Sequence, residues 1–157
     1  MPLEKCVNCL IGKKNKVAFR SSPPSRMNNV LDLIHSDLCR TMPKSLSSSQ
    51  YFVTFIGDHV RKMWAYILNS KYQVINVFKK FYALVQRYTG KKLKCIRTDN
   101  GGEYSGPFDI YCKEHGIRHQ TTPPKTPQLN GLAERMNRTL MERVRSLLSH
   151  LKLPKTF

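Results

Sequence analysis

Three segments in the first half of the chain have the hydrophobic patterns of β-strands. Residues 30–38 alternate between two faces, and residues 51–57 form an apolar, β-rich run that a Gly-Asp turn ends. Residues 62–68 then return as the second half of a hairpin. The pattern therefore predicts three consecutive strands, the first of which ends in an acidic residue, Asp37.

After the hairpin the hydrophobic period changes to that of a helix. Over residues 71–88 the apolar side chains fall on one helical face, and Gly90 predicts a left-handed stop. The elements that follow are predicted to be a strand at 93–98, a helix at 107–115, a strand at 117–120 and a helix from 130 to 151. The order β-β-β-α-β-α-β-α predicts an α/β fold, with a mixed sheet covered by helices.

The chain is strongly basic. Its 157 residues include 27 Lys and Arg against 10 Asp and Glu, which gives a formal charge of +17. The length suits one domain, and a hydrophobic content of 40% is typical of a globular protein. The basic excess extends along the whole chain and indicates a polyanionic partner, most commonly nucleic acid. Charge alone leaves a merely solubilising surface as an alternative.

No segment predicts secretion or a membrane partner. The longest apolar runs are far shorter than the roughly 18 residues that a membrane span needs, and the N-terminus lacks an apolar signal core. We therefore expect an intracellular protein, and five cysteines in such a chain do not indicate a disulfide framework. Cys39, Cys95 and Cys112 have apolar neighbours and are expected in the core, whereas Cys6 and Cys9 form a C-x-x-C pair.

Acidic residues are scarce, so their positions are informative. Asp37 ends the first predicted strand and Asp99 follows the fourth. A right-handed crossover helix can return the fourth strand beside the first, which would bring both carboxylates to neighbouring strand ends. Glu134 lies on the last predicted helix, at the border of its apolar stripe. It can point toward the two aspartates, or it can pair with Arg138 on a solvated face.

Three converging carboxylates have a chemical use. Mg²⁺ takes oxygen ligands, and two such ions about 4 Å apart can hold the attacking and leaving oxygens of a phosphodiester. Without metal, the three carboxylates would repel one another, and this repulsion favours the binding of dications. If Glu134 joins Asp37 and Asp99, the predicted site is one for metal-dependent phosphoryl transfer.

Five segments between residues 28 and 157 carry a more specific signal. They are LDLIHSDL, SQYFVTFIGD, RTDNGGEY, GIRHQTTPPKTPQLNGLAERMNRTL and LKLPKTF. Together and in this order they resemble the integrase core of Ty1/copia-type LTR retrotransposons. The resemblance implies a ribonuclease-H-like fold, a mixed five-stranded sheet of three antiparallel strands followed by alternating helices and strands, flanked by helices.

The same resemblance implies the activity and the site. Asp37, Asp99 and Glu134 would be the catalytic, metal-binding triad, with two Mg²⁺ or Mn²⁺ ions as cofactors. The reaction would join the 3′ ends of retrotransposon DNA to target DNA. The implied partners are both DNAs and further copies of the intact integrase, with no small-molecule substrate, in the nucleus or a cytoplasmic virus-like particle. The implied DNA-contacting residues are Asn100, Gly101, Gly102, Lys125, Gln128, Asn130, Arg135 and Arg138.

The resemblance also divides the chain. Residues 1–27 would be the remnant of an N-terminal His-His-Cys-Cys zinc module and a basic linker, with Cys6 and Cys9 as half a zinc site. Residues 28–157 would be the catalytic core, truncated at its C-terminus. No histidine precedes Cys6, so we expect no zinc binding by this chain alone. Two alternatives stay open, a catalytically inactive relic that only binds nucleic acid and another ribonuclease-H-like nuclease or transposase.

Overall fold

The structure, a computed structural model, describes residues 26–41, 49–123 and 127–154, without the side chains of residues 127–130. The strands are β1 (Ile34–Arg40), β2 (Tyr51–Gly57), β3 (Met63–Leu68), β4 (Cys95–Thr98) and β5 (Arg118–Thr121). The helices are α1 (Val74–Thr89), α2 (Pro107–Glu114) and α3 (Pro127–His150). The predicted order of strands and helices is confirmed.

The five strands form one mixed sheet in the order β3-β2-β1-β4-β5. Strands β1, β2 and β3 pair antiparallel, whereas β4 pairs parallel with β1 and β5 parallel with β4. Helix α1 makes the crossover that returns the chain from the edge strand β3 to a position beside β1. The predicted five-stranded mixed sheet is therefore confirmed, including the neighbouring positions of the first and fourth strands.

An aromatic core fixes the crossover helix against the sheet. Phe55 of β2 stacks on Phe81 of α1 with ring centroids 4.4 Å apart, and Phe78 lies 4.8 Å from Phe108 of α2. All four rings are almost completely buried. Helix α1 then ends where Gly90 adopts a φ of 64°, a left-handed conformation that a residue with a Cβ rarely takes.

The boundaries of several predicted elements were wrong. Strand β1 continues through Arg40, so Asp37 lies in the middle of the strand and not at its end. A 3-10 turn at Lys71–Gln73 precedes α1, because Ser70 and Gln73 form a capping box that closes a tighter turn first. Helix α3 begins at Pro127, a residue type that suits a first helical turn.

The second half of α3 leaves apolar side chains exposed. Ala133 and Asn137 are buried against the sheet, but Leu147 and Leu151 are each 60% exposed. A helix of 24 residues is about 36 Å long, whereas a strand of seven residues spans only about 23 Å. The sheet therefore cannot cover the whole length of α3.

Two other predictions are only partly covered by the described ranges. The division at residues 27 and 28 and the half zinc site stay predictions, because Cys6 and Cys9 lie outside the described residues. Cys95 and Cys112 are buried free thiols, as expected for core residues, whereas Cys39 is half-buried.

Among the helices described, none has both the length and the apolar character needed to cross a bilayer.

The aromatic core gives a direct test of the fold. Replacing Phe78 with Ala is expected to lower the free energy of unfolding by about 3–5 kcal/mol, because it opens a cavity among packed rings. Urea denaturation followed by circular dichroism would measure the loss. Tyr88, which is 81% exposed on the same helix, provides the control, and Tyr88→Ala is expected to change stability by less than about 0.5 kcal/mol. Equal losses for the two variants would contradict the packing.

Candidate functional site

The parallel pairing of β1 with β4 brings two acidic residues level. In this register Ile34 lies opposite Ile96 and His35 opposite Arg97. If this register continues two residues beyond the His35–Arg97 pair, Asp37 lies opposite Asp99, which is the first residue after β4. Both residues are partly exposed. The structure thus places the two predicted aspartates on adjacent strands.

Negative charge is crowded around Asp99. Burial raises the pKa of Asp99, and the nearby charges of Asp37 and Glu103 add to that increase. The backbone N–H of Gly101, which donates to Asp99 Oδ1 at 3.2 Å, and the ammonium of Lys71 oppose it. The net increase means that the folded protein disfavours the charged form of Asp99, and a cation would relieve the part of this cost that comes from Asp37 and Glu103.

The carboxylate of Asp37 is held by a polar cluster that reaches across three elements. Asn137 of α3 donates to Asp37 Oδ2 at 2.8 Å, and its own Oδ1 accepts from the Thr54 hydroxyl of β2 at 2.8 Å. The thiol of Cys39 lies 3.4 Å from the same Asp37 oxygen and donates to it. Burial and the charge of Asp37 raise the pKa of Cys39 to about 12, which keeps the thiol protonated. None of these bonds uses Oδ1 of Asp37.

Glu134 does not form a metal-type group with the two aspartates within the described residues. The Glu134 side chain is exposed on α3. It comes three residues before Asn137, so the two side chains are neighbours on the helix surface, about one turn apart. Within the described ranges, no group of three His, Cys, Asp or Glu side chains lies close enough to hold a metal ion. Nor do the described residues include an ion pair between Glu134 and Arg138. The triad as a whole stays a prediction.

Oxygen chemistry at the aspartate pair nevertheless fits a hard dication. Mg²⁺ is commonly bound by one or two carboxylates, and it retains several waters. Asp37 and Asp99 supply two carboxylates, and burial and the neighbouring acids raise the pKa of Asp99. These two residues could hold such an ion.

A second polar network fixes the backbone at Asp99. The Thr98 hydroxyl donates to the carbonyl oxygen of Asp99 at 2.8 Å and lies 2.9 Å from Nε2 of His119 on β5. The other ring nitrogen of His119 bonds to the carboxylate of Asp109 on α2. Thr98 is fully buried, so this Asp-His-Thr arrangement cannot present a nucleophile to a substrate. Its structural effect is to tie α2 and β5 to the residue that precedes Asp99.

The histidine nearest in sequence to Asp37 has another partner. His35 is 3% exposed, and its Nε2 lies 3.1 Å from Oδ1 of Asp58 in the β2–β3 turn. Burial lowers the pKa of His35, which favours its neutral form. The Met27 N–H donates to the other oxygen of Asp58 at 2.8 Å. His35 therefore anchors the turn and the chain entering β1.

The residues with implied DNA contacts lie in two regions. Asn100, Gly101 and Gly102 form the loop after β4, where Asn100 and Gly102 are exposed. A Cβ on Gly101 would lie 2.6 Å from Oε1 of Glu103, so this glycine permits a close approach of that side chain. Arg135 and Arg138 are exposed on α3. Lys125 lies outside the described residues, and so do the side chains of Gln128 and Asn130.

Sequence reasoning missed the residues that orient Asp37. Asn137 is 3% exposed and Thr54 is fully buried, although both are polar. The available signal was an asparagine close to the apolar stripe of the last helix, since a polar side chain that becomes buried needs a partner. Cys39 was expected in the core, but it also donates to the site.

The fold and the aspartate pair define the class of structure, the ribonuclease-H-like fold of integrase catalytic cores. The catalytic core domain of BIV integrase superimposes with a TM-score of 0.56 at 21% identity, over 76% of this chain and 73% of that one. A chain of the simian T-cell lymphotropic virus intasome, solved with the PP2A regulatory subunit B56 gamma, gives 0.62 at 22% identity, over 97% of this chain and 53% of that one. At such identities the likeness establishes the fold.

Proteins of similar sequence narrow the comparison from the fold to a group of homologues. The chain is 55% identical over 157 residues to the retrovirus-related Pol polyprotein from transposon TNT 1-94 of Nicotiana tabacum, covering 99% of this chain and 12% of that protein. The polyproteins from transposons RE2 and RE1 of Arabidopsis thaliana are 37% and 38% identical, over 99% and 97% of this chain and 10% of each relative. No protein-family profile matches the chain.

The chain is thus homologous to a segment of the Pol polyproteins of Ty1/copia-type transposons, and it spans about a tenth of their length. The predicted resemblance to this group is confirmed.

The pKa of Asp99, raised by burial and by neighbouring charges, predicts a stabilising substitution. A carboxyl group whose pKa is raised by folding costs stability above its unfolded pKa of about 4, and that cost disappears below it. In metal-free buffer, Asp99→Asn is therefore expected to raise the urea midpoint at pH 7 and to have little effect near pH 3. Urea denaturation at both pH values measures this, with exposed Glu114→Gln as the control. A midpoint unchanged at pH 7 would refute the crowding.

Proposed function

We propose that this chain is an integrase-type polynucleotidyl transferase core that binds DNA and joins retrotransposon DNA 3′ ends to target DNA with two divalent metal ions. The observation that carries the proposal is the parallel register of β1 and β4, which sets Asp37 level with Asp99, the residue that follows β4. The integrase-core fold and the homology to transposon Pol polyproteins support it.

The residues of the site divide the work by position. Asp37 and Asp99 offer carboxylate oxygens side by side, and Asn137 holds the Asp37 carboxylate by donating to its Oδ2. By resemblance, Glu134 is the third metal ligand, and it lies one helical turn from Asn137. Mg²⁺ or Mn²⁺ ions, when bound, supply activation of the attacking 3′ hydroxyl and stabilisation of the leaving oxygen. The chain needs no side-chain nucleophile for this chemistry.

Basic side chains beside the carboxylates would hold the DNA. Arg135 and Arg138 are exposed on the helix that carries Glu134, and the chain as a whole has a formal charge of +17. Contacts of this kind bind phosphates and position a duplex without reading its sequence. The proposed partners are the element ends, the target DNA and further copies of the integrase, in the nucleus or a virus-like particle.

A second candidate function is binding of nucleic acid without catalysis. It is favoured by one observation, that Glu134 and the two aspartates do not form a metal-type cluster within the described residues. A nuclease or transposase on the same fold is the other alternative. A strand-joining assay separates enzymes that link labelled ends to a target, an integrase or a transposase, from a nuclease, which only cuts, and from a binding protein, which does neither.

The catalytic proposal predicts metal-dependent joining by the wild-type chain. Labelled duplex ends incubated with a target plasmid and Mg²⁺ or Mn²⁺ are expected to yield joined product, and Asp37→Asn and Asp99→Asn to reduce it about 100-fold or more, as loss of transition-state charge stabilisation does. Glu134→Gln should do the same, whereas its matched control Glu142→Gln, two turns further along α3, should not. Product that is cut but not joined would indicate a nuclease. Equal product from wild type and Asp99→Asn would refute the assignment.

DNA binding can be tested separately from catalysis. In EDTA, the logarithm of the binding constant is expected to fall linearly with the logarithm of salt concentration, with a slope of about −0.9 for each phosphate contacted. Removing one contact with Arg138→Gln should reduce the slope by about one. Arg87→Gln, which removes an exposed charge near the end of α1, serves as the control. A flat salt dependence would exclude the proposed DNA surface.

A further inference from the structure

A cleft of about 550 Å³ opens beside the aspartate pair. It is lined by Gln50 and Tyr51 at the start of β2, by residues 69–72 between β3 and α1, and by Gly102 and Glu103 in the loop that follows Asp99. Three separate segments of the chain thus converge on one concave surface. Its volume lies in the range of about 300–1,000 Å³ that is typical of small-ligand sites, and it is large enough for one nucleotide.

The cleft presents an exposed aromatic ring on a rigid support. Tyr72 is 87% exposed. The turn that carries it is closed by the Ser70 hydroxyl, which accepts from the Tyr72 N–H, and by Gln73, whose Oε1 accepts from the N–H groups of Asn69 and Ser70 at 2.8 and 3.2 Å. These bonds hold the backbone of the turn before any ligand arrives, so only the Tyr72 side chain would lose freedom when another ring stacks on it.

Two charged side chains connect the cleft with the aspartate pair. The ammonium of Lys71 lies 5.7 Å from the centre of the Tyr51 ring and also acts electrostatically on Asp99. The carboxylate of Glu103 lines the cleft and adds to the negative charge at Asp99. A nucleic acid strand bound at the aspartates would therefore run close to Lys71. A base that turned away from that strand into the cleft would contact the tyrosines and Glu103.

These features match the chemistry of an unpaired nucleobase. A stacking ring, a cation within reach of a phosphate and a carboxylate able to accept from an exocyclic amino group are the contacts that such a base makes. A base within a duplex has both faces covered by its neighbours, so the exposed ring of Tyr72 suits a base that has left the stack.

We propose that this cleft binds an unpaired base of single-stranded DNA, stacked on Tyr72, with its phosphate near Lys71. The proposal rests on the proposed function for its choice of DNA, but it requires neither metal nor catalysis. It assigns the cleft to a single-stranded overhang adjoining the duplex that the aspartate pair would engage.

The test is a fluorescence titration in EDTA with a duplex whose single-stranded overhang carries 2-aminopurine. Stacking is expected to quench the probe, and Tyr72→Ala should weaken binding of this DNA about five-fold or more, since a base–aromatic stack usually contributes at least that much. Binding of the matching blunt duplex should not change. Tyr72→Phe keeps the ring and should retain both the quenching and the affinity.

A matched control excludes a general effect of losing a surface tyrosine. Tyr88 is 81% exposed at the opposite end of α1, and Tyr88→Ala should behave as wild type. Equal binding by Tyr72→Ala and wild type would overturn the proposal, and so would equal weakening by both alanine variants. A 2-aminopurine nucleoside monophosphate provides the other arm. If it binds as tightly as the overhang, the cleft is a site for free nucleotides and the DNA assignment is wrong.

The two proposals fail in distinguishable ways. Asp99→Asn is expected to lose strand joining but to keep the Tyr72-dependent quenching. Quenching that depends on Tyr72 in a protein that never joins DNA would overturn the catalytic proposal alone. If the protein joins DNA but Tyr72→Ala leaves the 2-aminopurine quenching unchanged, the cleft proposal alone is overturned.

Discussion

The parallel pairing of β1 with β4 is the constraint on which the candidate site depends. Asp37 and Asp99 are 62 positions apart in the chain, and only this register sets them on adjacent strands at one level. The pairing exists because α1 returns the chain across the sheet, and the packing of Phe78 and Phe81 fixes that return. A buried hydrogen bond of 2.9 Å between Ser36 and Tyr104 adds a tie between β1 and the loop after Asp99.

Polar contacts then refine what the hydrophobic core positions. Asn137 is buried with both ends of its amide satisfied, one by Thr54 and one by Asp37. A buried amide that lost either partner would carry an unpaired polar group, at a cost of about 1–3 kcal/mol. The Asn137 contact therefore fixes the rotation of α3 relative to the sheet as well as the orientation of the Asp37 carboxylate. The same residue couples the helix that carries Glu134 to the strand that carries Asp37.

The sequence predicted the parts of this arrangement that follow from periodicity and chain topology. The order of the elements, the position of β4 beside β1 and the proximity of Asp37 to Asp99 follow from alternating patterns and a right-handed crossover. The hydrogen bond from Asn137 to Asp37 could not be predicted from these patterns, because the two residues are 100 positions apart in the chain. The cleft at Tyr72 was missed for the same reason, since three distant segments form it. The boundary of β1 was missed because pairing with β2 extends the strand to Arg40.

The exposed position of Glu134 is consistent with the electrostatics of the aspartate pair. Burial and neighbouring acids already raise the pKa of Asp99. A third carboxylate brought against Asp37 and Asp99 without a cation would add repulsion, at a place where water screens charges less than at the open surface. Glu134 has no such cost while it remains in solvent on α3. A bound dication reverses the sign of this balance, because each carboxylate is then attracted to it more strongly than it is repelled by its neighbours. Asn137 holds α3 against β1 one helical turn from Glu134, so the helix that carries Glu134 is already fixed beside the strand that carries Asp37.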